Sequence, residues 1–132
     1  MATRSFIAIK DGDKYRDIYC HNDGYLSYNG YILKNHYNTF ERVNSLIELG
    51  DLSYLGQLLS KKDPHQSEDG SITFAYGRDR GETGTLAKEF DNESKLRTEE
   101  YNYLFKDGLW YWRTERETSF KLLTDEDIQN DL

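Results

Sequence analysis

Apolar and polar positions first alternate with the period of a β-strand. Phe6-Ile7-Ala8-Ile9 and Ile18-Tyr19-Cys20-His21 are two such runs, and Asp11-Gly12 between them carries tight-turn chemistry, so the two are predicted antiparallel neighbours. On the second run the alternation sends Ile18 and Cys20 to one face and Tyr19 and His21 to the other. The period then changes. Asn22-Asp23-Gly24 turns the chain, Gly24 and Gly30 bracket a loop in which Tyr25, Tyr28 and Tyr31 recur, and Ile32, Leu33, His36 and Tyr37 share one side of a short helix. A second helix is predicted from an Asn38 cap paired with Glu41. Its buried stripe is Phe40, Val43, Leu46 and Ile47, its wet face is Glu41, Arg42, Ser45 and Glu48, and Gly50 ends it. Leu52, Leu55, Leu58 and Leu59 suggest a third turn or short helix.

Residues 60–71 are polar, hold the single proline, Pro64, and read as an exposed loop. Ile72-Thr73-Phe74-Ala75-Tyr76 reads as a third strand, followed by the charged glycine loop Gly77-Arg78-Asp79-Arg80-Gly81-Glu82-Thr83-Gly84. Residues 86–96 are ambiguous: Leu86, Ala87 and Phe90 share a helical face that Asp91-Asn92-Glu93-Ser94 weakens. Residues 101–105 and 109–113 flank Lys106-Asp107-Gly108, a second hairpin. Phe120-Lys121-Leu122-Leu123 reads as an edge strand, and Thr124 with Asp127 caps an acidic terminal helix whose first turn holds Asp125 and Glu126. The expectation is a single α+β domain over residues 1–132: an antiparallel sheet of five to six strands with two or three short helices packed on one face.

Composition sharpens this. A mean hydropathy of −0.89 leans toward disorder, but 14% aromatic residues supply apolar area in few positions, enough for one core in 132 residues. The net charge of −7 lies wholly in the second half: residues 1–66 carry eight Lys or Arg and eight Asp or Glu, residues 67–132 nine against sixteen. A protein that neutralises phosphates needs a basic face, so direct nucleic-acid binding is not expected. An acidic face suits a basic protein surface, including one whose normal ligand is DNA or RNA. One cysteine forms no intrachain disulfide, and no apolar run reaches signal-peptide or membrane-spanning length, so a soluble cytoplasmic protein is expected.

Four groupings invite chemistry. Cys20, His21 and His36 suggest a nucleophile or metal ligands, yet neighbours on a strand diverge, and a buried structural cysteine with a packing histidine is the simpler reading. Asp11, Asp13, Asp17 and Asp23 lack calcium-loop spacing, so no metal is expected; Asp23 is kept because it sits with His21 and Tyr25. Arg78 and Arg80 on their glycine loop would grip a phosphate or carboxylate, or pair with Asp79, Glu82 and nearby acids, and the loop lacks the Lys-Ser/Thr ending of a nucleotide P-loop. On the second hairpin Trp110 and Trp112 share one face while Tyr111 joins Leu109 on the other, with Tyr101, Tyr103 and Phe105 also alternating, so one aromatic face is either covered by helices or open to a partner.

Taken together, Met1-Ala2-Thr3-Arg4-Ser5, Ile18-Tyr19-Cys20-His21 with Asp23-Gly24-Tyr25, His36-Tyr37, Leu49-Gly50-Asp51-Leu52-Ser53 and Ala75-Tyr76-Gly77-Arg78-Asp79-Arg80-Gly81-Glu82 resemble a family of short uncharacterised proteins encoded by tailed phages and prophages. This chain departs from the family pattern at Asn22 and Leu26, where members carry Trp and Pro. The resemblance brings no catalytic residues with it. It implies a small acidic accessory protein in the host cytoplasm, not an enzyme, that binds and inhibits a host protein such as an antiviral-defence component, as an anti-CRISPR does. The partner-binding candidates are Trp110, Trp112, Tyr101, Tyr103, Glu115 and Glu117. No cofactor is expected, and the oligomeric state stays open, a homodimer included. A second reading is a protein that sequesters a nucleotide signal through Arg78, Arg80, Tyr25, His21 and Asp23. A third is an enzyme using His21 and Asp23 with Cys20.

Overall fold

The computed structural model describes residues 2–132. The first hairpin pairs β1 (Ser5–Asp11) with β2 (Lys14–Cys20) around a two-residue turn at Gly12 and Asp13, one position later than the Asp-Gly signal suggested. The second pairs β6 (Tyr101–Lys106) with β7 (Leu109–Thr114). Asp107 and Gly108 both lie at positive φ, 54° and 79°, the conformation that lets a two-residue turn follow the twist of its strands. Three short strands, β3 (Leu52–Tyr54), β4 (Phe74–Ala75) and β8 (Lys121–Leu122), complete a row ordered β4-β3-β2-β1-β6-β7-β8. A further strand, β5 (Lys88–Phe90), lies antiparallel to β2 at Tyr15, Arg16 and Asp17, so β3 and β5 share one edge of β2 end to end.

Among the described residues the sheet therefore has eight strands, more than the five to six expected, and it is mixed where an antiparallel sheet was expected. The central pair β1–β6 is parallel, Ser5 opposite Tyr101 through Ile9 opposite Phe105, and β2 meets β3 in parallel at Cys20 and Leu52. The extra strands come from segments whose local pattern was misleading. The leucines after Gly50 open with a strand, not a helix, and residues 88–95 form β5 and a 3-10 turn (Glu93–Lys95), not a helical face.

One face of the sheet carries Ile7, Ile9, Ile18, Cys20, Tyr103, Phe105, Trp110 and Trp112. It is covered by a π-helical turn (Leu26–Gly30), α1 (Tyr31–His36), α2 (Phe40–Glu48) and α4 (Asp125–Asn130). On α2, Val43, Leu46 and Ile47 are fully buried, each stabilising by about 1.5–3 kcal/mol. Phe40, expected in that stripe, is half out of it because the helix begins one residue later: the cap is Thr39, whose hydroxyl accepts from the Arg42 amide, not Asn38. Thr124 and Asp127 form the predicted capping box on α4. Gly50 lies at φ 78°, and a Cβ there would come within 2.3 Å of the Thr85 carbonyl that accepts from the Asp51 amide, so both the turn and the close approach require glycine.

The opposite face has a smaller cluster of Ala8, Leu104 and Leu96, packed by Tyr15, Phe90, Tyr111 and Phe120. Asp17, fully buried there, accepts from the Arg97 backbone amide at 3.1 Å, Nε at 2.9 Å and Nη2 at 2.7 Å, and the Arg97 guanidinium lies over the Phe6 ring. That half-buried, charge-assisted pair clamps the segment before β6 across the back of the sheet. No helix among the described residues is long and apolar enough to cross a membrane.

Candidate functional site

The aromatic hairpin face is closed, which corrects the expectation that Trp110, Trp112 and Tyr103 meet a partner. Strand alternation places all three on the face that also carries Ile7 and Ile9, and the helices must cover that face to bury it. Tyr103 is wholly buried, Trp110 is 4% exposed and Trp112 is 8% exposed. Their polar atoms are used internally. The Tyr103 hydroxyl donates to the Gly24 carbonyl at 2.6 Å, Trp110 Nε1 to the Tyr37 carbonyl at 2.8 Å, and Trp112 Nε1 to Asp127 Oδ2 at 3.3 Å. Tyr101, at the strand's start, stays partly exposed and stacks on Trp112 with centroids 6.5 Å apart. Glu115 is exposed. Glu117 accepts from the Thr114 amide and hydroxyl and from Lys121, and the Lys121 hydrogen bond is the largest cause holding its carboxyl below the ordinary range.

In the arginine loop the internal alternative holds: Arg78 pairs with Asp79 and Arg80 with Glu82. Its first residues are a short helix, α3 (Tyr76–Arg80), and Arg78 is spent inside the protein. It donates to the Leu59 carbonyl at 2.6 Å, the Thr73 carbonyl at 2.7 Å and both Asp79 oxygens, while Asp79 also accepts from the Ala75 amide. Only Arg80 faces outward, over the Tyr76 ring and 3.0 Å from Glu82.

His21, Asp23 and Cys20 do not converge. His21 Nδ1 lies 2.7 Å from the Tyr19 hydroxyl, on the face of β2 opposite Cys20. Cys20 points into the core, where Asn29 Nδ2 approaches its sulfur at 3.5 Å and burial pushes its thiol up to about 11. Asp23 turns the chain at φ 59° and its carbonyl accepts from the Asn29 amide. Burial, then the Asp23 charge, raises the Tyr25 phenol above its ordinary value.

Sequence reasoning missed a cluster around the 60–71 loop. Arg42 Nε donates to the His36 carbonyl at 2.6 Å, Nη1 to Asp63 Oδ1 at 2.9 Å and Nη2 to the Gln57 carbonyl at 2.8 Å, with the guanidinium over the Tyr37 ring. His36 Nδ1 and His65 Nε2 lie 2.9 Å apart, and the Gln57 side-chain oxygen accepts from Ser67 and from the Glu68 amide. His36 Nε2 is buried without a partner. Burial alone would raise the Asp63 carboxyl, but hydrogen bonds from the Leu59 and His65 amides and from Arg42 hold it below its ordinary value. The loop is exposed as expected, at Lys61, Lys62, Pro64, Gln66, Glu68, Asp69 and Gly70, but it is also tied down. Its only sequence signal was a polar stretch around a proline, and nothing relates His36 to a histidine so far along the chain. Among the described residues no group of three or more His, Cys, Asp or Glu is placed to hold a metal.

Three concavities lie around α4 and the start of β6. A groove of about 510 Å³ between α1 and α4 is lined by Ser27, Tyr31, Asn35, Asp125, Ile128 and Gln129, with Leu132 at its end. On the other side of α4 a depression is bounded by Leu26, Trp112, Asp127, Asn130 and Asp131. Past the Tyr101–Trp112 stack a third is bounded by Glu100, Tyr101, Thr114, Glu115 and Arg116. The three linings hold five carboxylates and one cation.

Fold and site together define an α+β protein with a mixed sheet, a closed aromatic core and an acidic, grooved end. No family model matches the chain, and neither the curated proteins nor the solved structures include a significant match to it.

Proposed function

We propose that this protein acts by binding another protein that carries a basic surface, not by catalysing a reaction. The observation that carries this reading is the lining of the three adjoining depressions, where Glu100, Glu115, Asp125, Asp127 and Asp131 outnumber Arg116, with Lys34 at the rim paired to Asp125. Such a charge imbalance steers a basic partner and orients its approach, while the part-exposed Tyr101 and the groove floor supply apolar contact. In the setting that the sequence resemblance implies, the partner is a host factor, and the charge favours one whose normal ligand is nucleic acid, such as an antiviral-defence effector.

The test is capture from host lysate at low and moderate salt, followed by challenge with duplex DNA. The expected result is one specific partner, retained at both salt concentrations and displaced by the DNA. Absence of any specific partner at either salt concentration overturns the reading. Thermal stabilisation by a nucleotide, abolished in Arg80→Ala, would move the assignment to nucleotide binding instead.

A further inference from the structure

Most of the polar groups with chemical potential are internally committed. Arg78, Arg97 and Arg42 are tied to backbone carbonyls or carboxylates, Cys20 is in the core, and His36 of α1 faces His65 of the loop. The three depressions around α4 are different, because they combine concave surface, apolar or aromatic residues in their linings and an excess of carboxylates over cations. The first and second flank α4 on its two sides, and the second and third meet at the Tyr101–Trp112 stack. Asp131 bridges them further: its Oδ2 accepts from the Ser27 amide at 2.8 Å, and its charge, after burial, raises the Tyr101 phenol.

We propose that this run of grooves is a docking site for an extended basic segment of a partner protein, in which arginine or lysine alternates with apolar residues. This rests on the binding reading above and names its surface. The volume of the first groove falls in the range of about 300–1,000 Å³ typical of binding pockets. Its floor is Ile128 and the ring of Tyr31, which suits an apolar side chain, and its rim offers the Asn35 and Gln129 amides to a peptide backbone. The carboxylates are strung out along the run, from Asp125 past Asp131 to Glu115, so an extended chain meets several and a compact cation meets one. Lys34, the cation beside Asp125, forms a rim pair with it at 2.9 Å in which the carboxylate is 83% exposed, and such a pair exchanges readily for a partner's arginine. A second copy of this chain is a poor occupant, because two-fold pairing would set these same carboxylates against each other.

The probe is a short fluorescent peptide alternating arginine with leucine, added to the full chain labelled with nitrogen-15. Amide shifts are expected at Ser27, Asn35, Gln129, Asn130, Tyr101 and Thr114. The double charge reversal Asp125→Lys with Glu115→Lys is expected to weaken binding by about tenfold or more. Glu41→Lys with Glu48→Lys, on the exposed side of α2, changes net charge equally and is expected to weaken it by less than about twofold. Equal weakening by both pairs, shifts centred elsewhere, equal binding of a peptide with glutamate in place of arginine, or a dimer closing over α4 each overturns the proposal. If the peptide docks elsewhere while capture from lysate still yields a DNA-displaced partner, binding stands and this surface falls. If the peptide docks here but no partner is captured, the groove stands and the host-factor reading falls.

Discussion

Arg42 holds together more of the molecule than a single residue of a surface helix usually does. From α2 it satisfies the carbonyls of His36 and Gln57, pairs with Asp63 and covers Tyr37, so it ties α1, α2 and the 60–71 loop into one unit. The Asp63 carboxylate is only 3% exposed, and removing its cation leaves a buried charge supported by backbone amides alone. Arg42→Ala is therefore expected to cost about 3 kcal/mol, measured by urea unfolding; a loss under about 1 kcal/mol would show that water replaces the guanidinium cheaply. Cys20 is a second case in which environment decides chemistry. Its thiol is pushed from 9.0 up to about 11 by burial, so the thiolate fraction at neutral pH is about a hundredfold lower than for an ordinary cysteine. The folded protein should react with a disulfide reagent only as it opens, and rapid stoichiometric labelling in native buffer would contradict the closed core.

At the scale of elements, the 60–71 loop is held by groups that respond to pH. Its His65 ring is pushed below its ordinary value, first by burial and then by the charges of Arg42 and His36. Asp63 is the opposing carboxylate, and the pair with His36 requires one ring to offer a lone pair to the other. Because the folded protein binds the His65 proton less readily than the unfolded chain, this contribution is complete above the unfolded value of 6.5 and is lost as pH falls through the lower folded value. Lowering the pH from about 7.5 to about 5.5 should lower Tm, and His65→Gln should flatten that dependence; an unchanged slope in the variant would remove His65 as its source. None of this was legible beforehand, whereas the hairpins were. Asp107-Gly108 declares its turn through local φ preferences, and the alternation of Ile18 and Cys20 against Tyr19 and His21 declares its faces. The leucines at 52, 55, 58 and 59 suit a helix or a buried strand equally, and only pairing with Cys20 makes Leu52 a strand residue. Arg78 was readable as a ligand grip or as an internal clamp, and the Leu59 and Thr73 carbonyls that decide it lie outside any local pattern.

Across the whole molecule, the two halves of the chain meet at the parallel pairing of β1 with β6, the contact that local sequence says least about. Hairpins follow from neighbouring residues, but Ser5 opposite Tyr101 depends on which of two apolar strands the core selects after long loop closure. The site shares this origin. The groove has one wall from residues 27–35 and another from the C-terminal helix, joined by Ser27 to Asp131, so its acidic residues could be counted in advance but not placed. The same interlock makes each half dependent on the other. Without the second half β1 loses an edge, and without the first Trp110 loses the Tyr37 carbonyl and Tyr103 that of Gly24. Unfolding should accordingly be a single cooperative transition. The sequence supplies a probe in each half: the only cysteine, Cys20, in the first, and both tryptophans, Trp110 and Trp112, in the second. Thiol exposure and tryptophan fluorescence should follow one urea curve with one midpoint, and Asp17→Ala, which frees the Arg97 clamp on the back face, should move both midpoints down together. Should the tryptophan signal fall at a lower urea concentration than the thiol becomes reactive, the second half would be a separately melting unit and the grooved end would not be rigid enough to preorganise a docking site.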